Sequence, residues 1–334
     1  MSNTLMSIGA SITKVILPIF MVLGLVTNSL NIFILTRSRL YKYPSSHYFL
    51  AMSINSLYGS SFLPLSDLLS YGYHIDLVNL SLSICRFVRY ANDLCGIFAP
   101  YFIVLASIDR YWISSSDSNR LRWNNIRSAR IMIISVVIFF SLFYINTLLL
   151  IELNMVDGIG CAIRPRTIYH RIYPLIQILF YIILAPTLII IFGLRIIYNA
   201  RLVHQRVLRI RSYRRTDRQL GLMLLLQVTT QSVLITPISI LYLLFFFSSP
   251  QALTSQFYFI FLITRHIYQF SYVIPFFLYM LTGQTFRKEL IRLFKRCILQ
   301  RRIHPLPNRL LLNRIAVIRI DLLPANKSWY NEFE

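Results

Sequence analysis

Residues 84–113 read ICRFVRYANDLCGIFAPYFIVLASIDRYWI, and this stretch decides the fold. Cys85 and Arg110 lie 25 positions apart in it, which is roughly 37 Å at the 1.5 Å rise of an α-helix. The hydrocarbon core of a bilayer is about 30 Å thick and takes about 20 helical residues to cross. The stretch therefore predicts a membrane-crossing helix, with Cys85 near one surface and Asp109-Arg110-Tyr111 near the other.

The composition of the whole chain agrees with a membrane protein. The chain has 334 residues, of which 56% are hydrophobic, and only 14% are charged, against about 25% in soluble proteins. Its mean hydropathy is +0.59. A net charge of +22 would suit a nucleic-acid-binding protein, but the charges are excluded from long apolar stretches and gather between them. We therefore expect no nucleic-acid partner.

Seven apolar stretches are long enough to span the bilayer. We expect an all-α membrane protein, a seven-transmembrane helix bundle followed by a short amphipathic eighth helix. The second span is the least hydrophobic, because Asn55 and Asp67 lie inside it. Prolines inside several of the spans predict kinked helices, which a bundle tolerates. The spans cover about residues 12–36, 48–71, 84–113, 131–151, 173–198, 220–247 and 257–281.

The basic residues predict the orientation of the bundle. Of the 34 Lys and Arg residues, 27 lie in alternate connections and the tail, and the other seven lie on the opposite side. The positive-inside rule places the larger group in the cytoplasm. We expect a multi-pass plasma-membrane protein with an extracellular N-terminus (1–11), a transmembrane domain (12–281) and a cytoplasmic tail (300–334). The first span is expected to be retained and not cleaved as a signal, and Asn79-Leu80-Ser81 is a glycosylation candidate in an outer loop.

Short motifs occur in order along the spans and carry a family resemblance. Together they resemble the rhodopsin-like (class A) G-protein-coupled receptors over about residues 23–297, and the ordered set is far more specific than a lone Asp-Arg-Tyr triplet. Five residues match helix-packing positions of that family, namely Asn28, Asn55, Pro186, Pro237 and Pro275. The motifs are Gly24–Asn28; Leu50, Ala51 and Asn55; Cys85 and Asp109-Arg110-Tyr111; Pro186; Pro237; and Pro275–Tyr279 followed by Phe286-Arg287.

The chain departs from the family pattern in the helices that change on activation. The fourth span has Val137 near the usual tryptophan, and the sixth lacks an aromatic residue before Pro237. The seventh has Ile274 before Pro275, where the family has asparagine. Asn55 stands where the family usually has aspartate, so a sodium site like the family's is not expected. The resemblance consequently supports the fold more firmly than the activation mechanism.

The resemblance implies a receptor and not an enzyme, which binds an extracellular ligand and activates a heterotrimeric G protein without a cofactor or metal. It also implies a disulfide between Cys85 and Cys161, which an oxidising outer compartment preserves. At the inner end, Arg110 would pair with Asp109 and reach Asp217 to hold an inactive state. The alternative is that Arg110 only anchors the helix at the cytoplasmic surface. The switch set is Asp109, Arg110, Tyr111, Asp217 and Tyr279.

Candidate ligand contacts lie near the outer ends of the spans. Asn92 stands where amine receptors of the family carry aspartate, so a monoamine ligand is disfavoured. The basic residues suit a ligand with an acidic group, and the resemblance favours a peptide. Each charge has an alternative role as a solvated group at the rim. The candidates are Asn92, Asp93, Arg164, Arg166, Arg171, Arg265, His266 and Gln269.

The segment after the seventh span is amphipathic. Residues 284–299 place apolar side chains on one side and basic ones on the other, which predicts an interfacial helix on the inner leaflet, in contact with membrane lipid. A basic disordered tail is the alternative. Cys297 near its end is a palmitoylation candidate, with an unmodified cysteine as the alternative.

Three other functions compete with a receptor. A transporter or channel would want ionisable residues at mid-membrane depth and internal repeats, whereas Asp67 and Asp93 lie nearer the outer ends and no repeat is visible. A membrane enzyme is disfavoured because no HExxH or GxSxG motif occurs. A seven-helix receptor-like protein without G-protein signalling stays open, although the intact Arg110 argues against it.

Overall fold

A computed structural model describes residues 2–114, 125–154, 160–164, 167–204, 211–247 and 255–303. Within these ranges, each predicted span coincides with a helix. The helices are α1 (Ser2–Leu35), α2 (Pro44–Asp67), α3 (Leu82–Ser114), α4 (Ile126–Phe143), α5 (Ile168–Gln177, the π-helical Ile178–Leu184 and Ala185–His204), α6 (Arg211–Phe247), α7 (Ser255–Phe270 and Pro275–Thr282) and α8 (Gln284–Ile303). Shorter helical elements are Ser38–Tyr41, Leu68–Gly72, Leu77–Asn79 and Ile145–Leu150.

The chain divides into two compact units, Met1–Arg287 and Lys288–Glu334. The first unit holds the membrane helices, with α3 running between α2, α4, α5 and α6. Its core has one cluster between α3, α4 and α5, around Phe140 and Tyr144, and another between α2, α3 and α7, around Cys95 and Tyr272. In the second unit the structure describes most of α8, where Ile291 and Phe294 are exposed, as an amphipathic helix requires.

Five helices among the described residues are long and apolar enough to cross a membrane. α2 falls short because it is rich in serine and ends on an aspartate, and α7 falls short because it is interrupted at residues 271–274. The five are Thr4–Leu35, Leu82–Ile113, Ile126–Leu150, Arg171–Ile196 and Leu226–Leu244.

Two helices change their geometry next to a proline, as the internal prolines predict. Proline has no backbone N–H and cannot complete the regular hydrogen-bond ladder. In α5 the π-helical segment Ile178–Leu184 lies just before Pro186. In α7 the helix stops at Phe270 and restarts at Pro275. Asn28 of α1 donates a hydrogen bond of 3.0 Å to the carbonyl of Tyr272 inside that break.

The connection between α4 and α5 contains a short β-hairpin that the sequence analysis does not predict. Strand β1 (Ile151–Asn154) pairs antiparallel with β2 (Gly160–Ile163), and Ile151 lies opposite Ile163. Cys161 in β2 is bonded to Cys85 in α3, with their Cα atoms 5.8 Å apart. The predicted disulfide is therefore confirmed. Four-residue strands are too short to show a period of two in the sequence.

Several helices are longer than predicted; α5, for example, covers residues 168–204 where the predicted span is 173–198. α1 begins at Ser2 instead of Ile12, α6 at Arg211 instead of Leu220, and α8 extends to Ile303. Hydropathy marks the part of a helix that contacts hydrocarbon, whereas the helix itself continues until its backbone pattern is broken. The segment predicted as the extracellular N-terminus (1–11) is therefore helical from Ser2 onward.

Candidate functional site

The bundle has polar clusters near both ends. We call the end that carries the Cys85–Cys161 bond the disulfide end, and the opposite end of α3, with Asp109-Arg110-Tyr111, the Arg110 end. The predicted ligand residues lie toward the disulfide end, and the predicted switch residues lie toward the Arg110 end.

At the disulfide end, the Asp67 cluster (Asp67, Arg265 and Gln269) joins α2 to α7. The Asp67 side chain is buried, and Arg265 Nη2 donates to its Oδ1 at 2.9 Å. Arg265 Nε and Gln269 Nε2 both donate to its other oxygen. Arg265 Nη1 also lies 3.5 Å from the hydroxyl of Tyr242 in α6. A two-pronged guanidinium–carboxylate pair of this kind fixes geometry as well as charge.

His266 connects the same part of α7 to α1. The Thr13 hydroxyl donates to the Gly9 carbonyl at 2.9 Å, so its oxygen is left to accept from His266 Nε2 at 3.0 Å. A hydroxyl has a single proton to donate. The imidazole is therefore assigned the tautomer with its proton on Nε2. His266 is 4% exposed, and its Nδ1 has no hydrogen-bond partner in the described part of the chain.

Asn92 and Asp93 point to different neighbours, as consecutive helical residues must. Asn92 Oδ1 accepts a hydrogen bond from the Tyr58 hydroxyl of α2 at 3.2 Å. Asp93 Oδ1 accepts from the Tyr173 hydroxyl of α5 at 2.7 Å. The two candidates thus tie α3 to opposite sides of the bundle and do not share one site with the Asp67 cluster.

The remaining basic candidates lie at the surface. Arg164 forms an ion pair with Glu152 across the hairpin, and both side chains are largely in solvent. The hydrogen bond from Arg164 lowers the pKa of Glu152 below its ordinary value. Arg171 is exposed on α5, and Arg166 lies outside the described residues.

Two arginines of α3 and one asparagine hold the hairpin against the bundle. Arg86 Nε donates to the Ile151 carbonyl at 3.1 Å, and Arg89 Nη2 donates to the Cys161 carbonyl at 3.4 Å. The Cys161 N–H donates to Asn79 Oδ1 at 2.9 Å. Asn79, the glycosylation candidate, therefore has a structural contact through its amide oxygen. Its glycosylation stays a prediction.

At the Arg110 end, the Asp109 cluster (Ser45, Asp109 and Arg110) lies between α2 and α3. The Ser45 hydroxyl donates to Asp109 Oδ2 at 2.6 Å, and Arg110 Nη2 donates to Ser45 Oγ. Asp109 is 1% exposed and Arg110 6%. Asp217 lies on α6, but its side chain is outside the description, so its contact with Arg110 stays a prediction.

Aromatic contacts surround this end of the bundle. Tyr279 is fully buried, and its ring meets Phe49 of α2 and Phe286 edge-on, with centroids 5.2 and 5.8 Å apart. The ring of Tyr111 lies 5.8 Å from that of Phe192 in α5. Tyr279 thus joins α7 to α2 next to the start of α8. The side chain of Cys297 falls outside the description, and its palmitoylation stays a prediction.

The predicted packing asparagines make contacts between helices. Asn28 donates to the Gly24 carbonyl and to Tyr272 in α7, each at 3.0 Å. Gly24 itself lies so close to α2 that a Cβ there would overlap Ser60. Asn55 Nδ2 donates to the Cys95 carbonyl of α3 at 2.9 Å. No group of three or more potential metal ligands occurs among the described residues.

Sequence reasoning missed the partners of the predicted residues more often than the residues themselves. Ser45 gave no signal, because serine at the start of a helix is common. Asp67 gave a partial one, since a lone acid near the outer end of α2 needs a cation, and Arg265 is a basic residue near the outer end of α7. The sequence gives no sign that Tyr173 and Thr13 are partners of Asp93 and His266, because packing decides which helix faces lie together.

A cavity of about 260 Å³ lies elsewhere, between α3, α5 and α6. None of the predicted ligand residues lines it. It is bounded by Pro100 and Ile103 of α3, residues around Pro186 of α5, and α6 from Val228 to Leu243. Its position marks a part of the bundle separate from both polar clusters.

Comparison with known proteins identifies the family. Residues 27–279 match the family described as "7 transmembrane receptor (rhodopsin family)". The crystal structure of squid rhodopsin is similar, with a TM-score of 0.71 over 88% of this chain and 87% of that chain. At 16% sequence identity, this likeness shows a shared fold alone. Among curated proteins, no sequence matches at a significant level.

The fold is that of a multi-pass, seven-helix membrane receptor. The family match covers most of the chain, and the chain therefore belongs to the rhodopsin family of seven-transmembrane receptors. It is a receptor and not an enzyme.

Proposed function

We propose that this protein is a plasma-membrane receptor that binds a peptide at the disulfide end and activates a heterotrimeric G protein at the Arg110 end. The N-terminus is extracellular and the basic connections are cytoplasmic, as the positive-inside rule requires. The tail begins with α8 lying on the inner leaflet, where its exposed Ile291 and Phe294 contact lipid. The observation that carries the proposal is the burial of Asp109 and Arg110 together at one end of α3.

A buried charge at the membrane edge needs a partner or a function, because desolvating it is costly. Both charges of the Asp109 cluster come from α3, and Ser45 supplies the described contact with α2. A change in helix packing that moves α2 away from α3 would break the described contacts of Ser45 with Asp109 and Arg110. Agonist binding biases the bundle toward that released state, because a ligand shifts an equilibrium by its differential affinity for the two states.

The disulfide end supports a ligand with several charged groups. Arg265 is already neutralised by Asp67, so it is not a spare cation for a small acid. Charged groups of both signs lie at the surface of the hairpin and on α5, namely the ion pair of Glu152 with the exposed Arg164, and the exposed Arg171. A peptide presents charges of both signs over a similar span. A small monoamine is disfavoured because Asn92 is not an acid and Asp67 is already paired with Arg265. Asp93 accepts from the Tyr173 hydroxyl through Oδ1, while its Oδ2 has no hydrogen-bond partner among the described residues.

The test is basal nucleotide exchange on a panel of purified heterotrimeric G proteins, with the full chain in lipid nanodiscs. We expect exchange above that with empty nanodiscs, and we expect Arg110→Ala to return it to the empty-nanodisc level. Arg130→Ala is the matched control, because Arg130 is exposed on α4 at the same end and donates to the Tyr41 hydroxyl.

If every G protein gives the empty-nanodisc rate, or if Arg110→Ala and Arg130→Ala behave alike, G-protein coupling through Arg110 is wrong. The receptor-like protein without G-protein signalling would then be the better account.

A further inference from the structure

The cavity between α3, α5 and α6 opens toward the bilayer. α5 and α6 are neighbours along the chain, yet in the described residues they make little direct contact, whereas α3 packs along α5. The π-helical turn before Pro186 alters the face of α5 at the cavity wall. Ser232, Thr236 and Ile240 of α6 line the cavity and are exposed at its edge. The cavity is therefore a cleft reached sideways from the membrane, and we call it the α5–α6 cleft.

The wall formed by α6 carries neutral polar groups. Gln231, Ser232, Thr236 and Ser239 line it, and no Asp, Glu, Lys or Arg does. The Thr236 hydroxyl donates to the Ser232 carbonyl at 2.7 Å, which leaves its oxygen free to accept. Within the described part of the chain, the Ser239 hydroxyl has no hydrogen-bond partner. A polar group that faces hydrocarbon without a hydrogen-bond partner is unfavourable. A ligand that supplies a hydrogen-bonding group to this wall would therefore be stabilised.

The depth of these groups narrows the class of ligand. Residues 231–239 lie 8 to 16 positions before Phe247, where α6 ends, which is roughly 12–24 Å along the helix. The polar wall is thus inside the hydrocarbon core and away from the lipid headgroups. A phospholipid chain has no hydrogen-bonding group at this depth. The opposite wall is mostly apolar, with Ile103, Ala185 and Ile189, and Tyr181 also lines it.

We propose that the α5–α6 cleft binds a neutral molecule dissolved in the bilayer, with an apolar body and one hydroxyl or carbonyl group. The apolar body lies against α3 and α5, and the single polar group exchanges hydrogen bonds with Thr236 and Ser239. The cleft is separate from the Asp67 cluster, and binding there does not depend on whether the receptor couples to a G protein. Because the cleft separates α5 from α6, an occupant also holds these two helices at a fixed spacing.

Photolabelling of the full chain in phosphatidylcholine nanodiscs tests the proposal. The probes are a diazirine-bearing hexadecanol and the matching hexadecane without a hydroxyl. The alcohol should label residues 181–189 and 228–243 selectively, with labelling suppressed by excess unlabelled hexadecanol. Ser239→Phe should fill the cleft and abolish selective labelling. Val233→Phe is the matched control, because Val233 is 64% exposed on the same helix and does not line the cleft.

A second variant distinguishes the loss of space in the cleft from the loss of its hydrogen bonds. Thr236→Val combined with Ser239→Ala removes two hydroxyls with little change in volume, and should lower labelling by the alcohol roughly 2–10-fold, to the level of the alkane. Equal labelling by alcohol and alkane in the unmodified chain would overturn the proposal. So would labelling spread along all lipid-facing helices, or labelling that survives Ser239→Phe unchanged.

Discussion

The Asp67 cluster and the Asp109 cluster both bury an acid beside an arginine near helix ends, but they are built differently. In the first, the two charges come from α2 and α7 and are 198 positions apart in the chain. In the second they are adjacent on α3, and Ser45 supplies the described contact with another helix. The first cluster cannot open without separating two charges. The second can lose its contact with α2 while the charges stay together.

This difference suggests a division of labour. A charge pair that spans two helices stabilises one packing of those helices, because separating it leaves an unpaired buried charge. In the Asp109 cluster, the described contacts with α2 are the hydrogen bonds of Ser45, which are weaker and easier to exchange. The disulfide end, with its covalent bond and its ion pair, is therefore the fixed end of the bundle. We propose that the Arg110 end is the one that switches.

The largest expected effect is from breaking the ion pair at the fixed end. Arg265→Ala leaves Asp67 buried without its cation and should lower the free energy of unfolding by about 3–5 kcal/mol. The measurement is unfolding in mixed micelles by titration with a denaturing detergent. Arg171→Ala, which removes an exposed arginine at the same end, is the control and should change stability little.

The exchange Asp67→Arg with Arg265→Asp sharpens this result. The double variant should regain part of the stability lost by either single change, since the charges again face each other across α2 and α7. If the double variant is as unstable as the sum of the single variants, the pair does not couple the two helices.

The next effect concerns the Asp109 cluster. Ser45→Ala removes hydrogen bonds to two charged groups, which are worth about 1.5–3 kcal/mol each at most. We expect a loss at the low end of that range, because Asp109 and Arg110 remain adjacent. The same detergent titration measures it, with Ser61→Ala of α2 as the control, because that hydroxyl bonds only within its own helix, to the Leu57 carbonyl. A loss as large as that of Arg265→Ala would contradict the proposed division.

A smaller effect is expected where α7 meets α1. Thr13→Val keeps the shape but removes the acceptor for His266 Nε2, at a cost of about 0.5–1.5 kcal/mol. Thr264→Val is the matched control, since its hydroxyl donates only within α7. Equal stability of the two variants in mixed micelles would mean that the Thr13 contact adds nothing to the packing of α1 on α7.

The smallest effect belongs to the exposed pair on the hairpin. Arg164 lowers the pKa of Glu152, so any stabilisation is present above the ordinary pKa of glutamate and is lost as pH falls through the lowered value. Because both groups are in solvent, Glu152→Gln should leave the melting temperature unchanged near neutral pH. A pH series of melting curves measures this. A clear destabilisation at neutral pH would mean that the hairpin pair stabilises the fold as the buried clusters do.

The sequence predicts the membrane helices well because the bilayer imposes one rule on all of them, a long apolar run. It also predicts the disulfide, through the resemblance, and it predicts that Cys85 and Arg110 lie at opposite ends of one helix. It fails where structure depends on contacts between helices, as with Ser45 beside Asp109 and Asp67 beside Arg265. The break in α7 was visible as Pro275, but the donor supplied by Asn28 was not. The hairpin was missed because its strands are short and sit in an irregular connection.

The division of labour is tested most directly by basal nucleotide exchange of two matched variants at equal amounts of folded protein. Asp109→Asn and Asp67→Asn each remove one buried negative charge while keeping the shape of the side chain. We predict that Asp109→Asn raises exchange on the coupled G protein above that of the unmodified chain, and that Asp67→Asn does not. Equal rates for the two variants, or a rise with Asp67→Asn alone, would contradict the account.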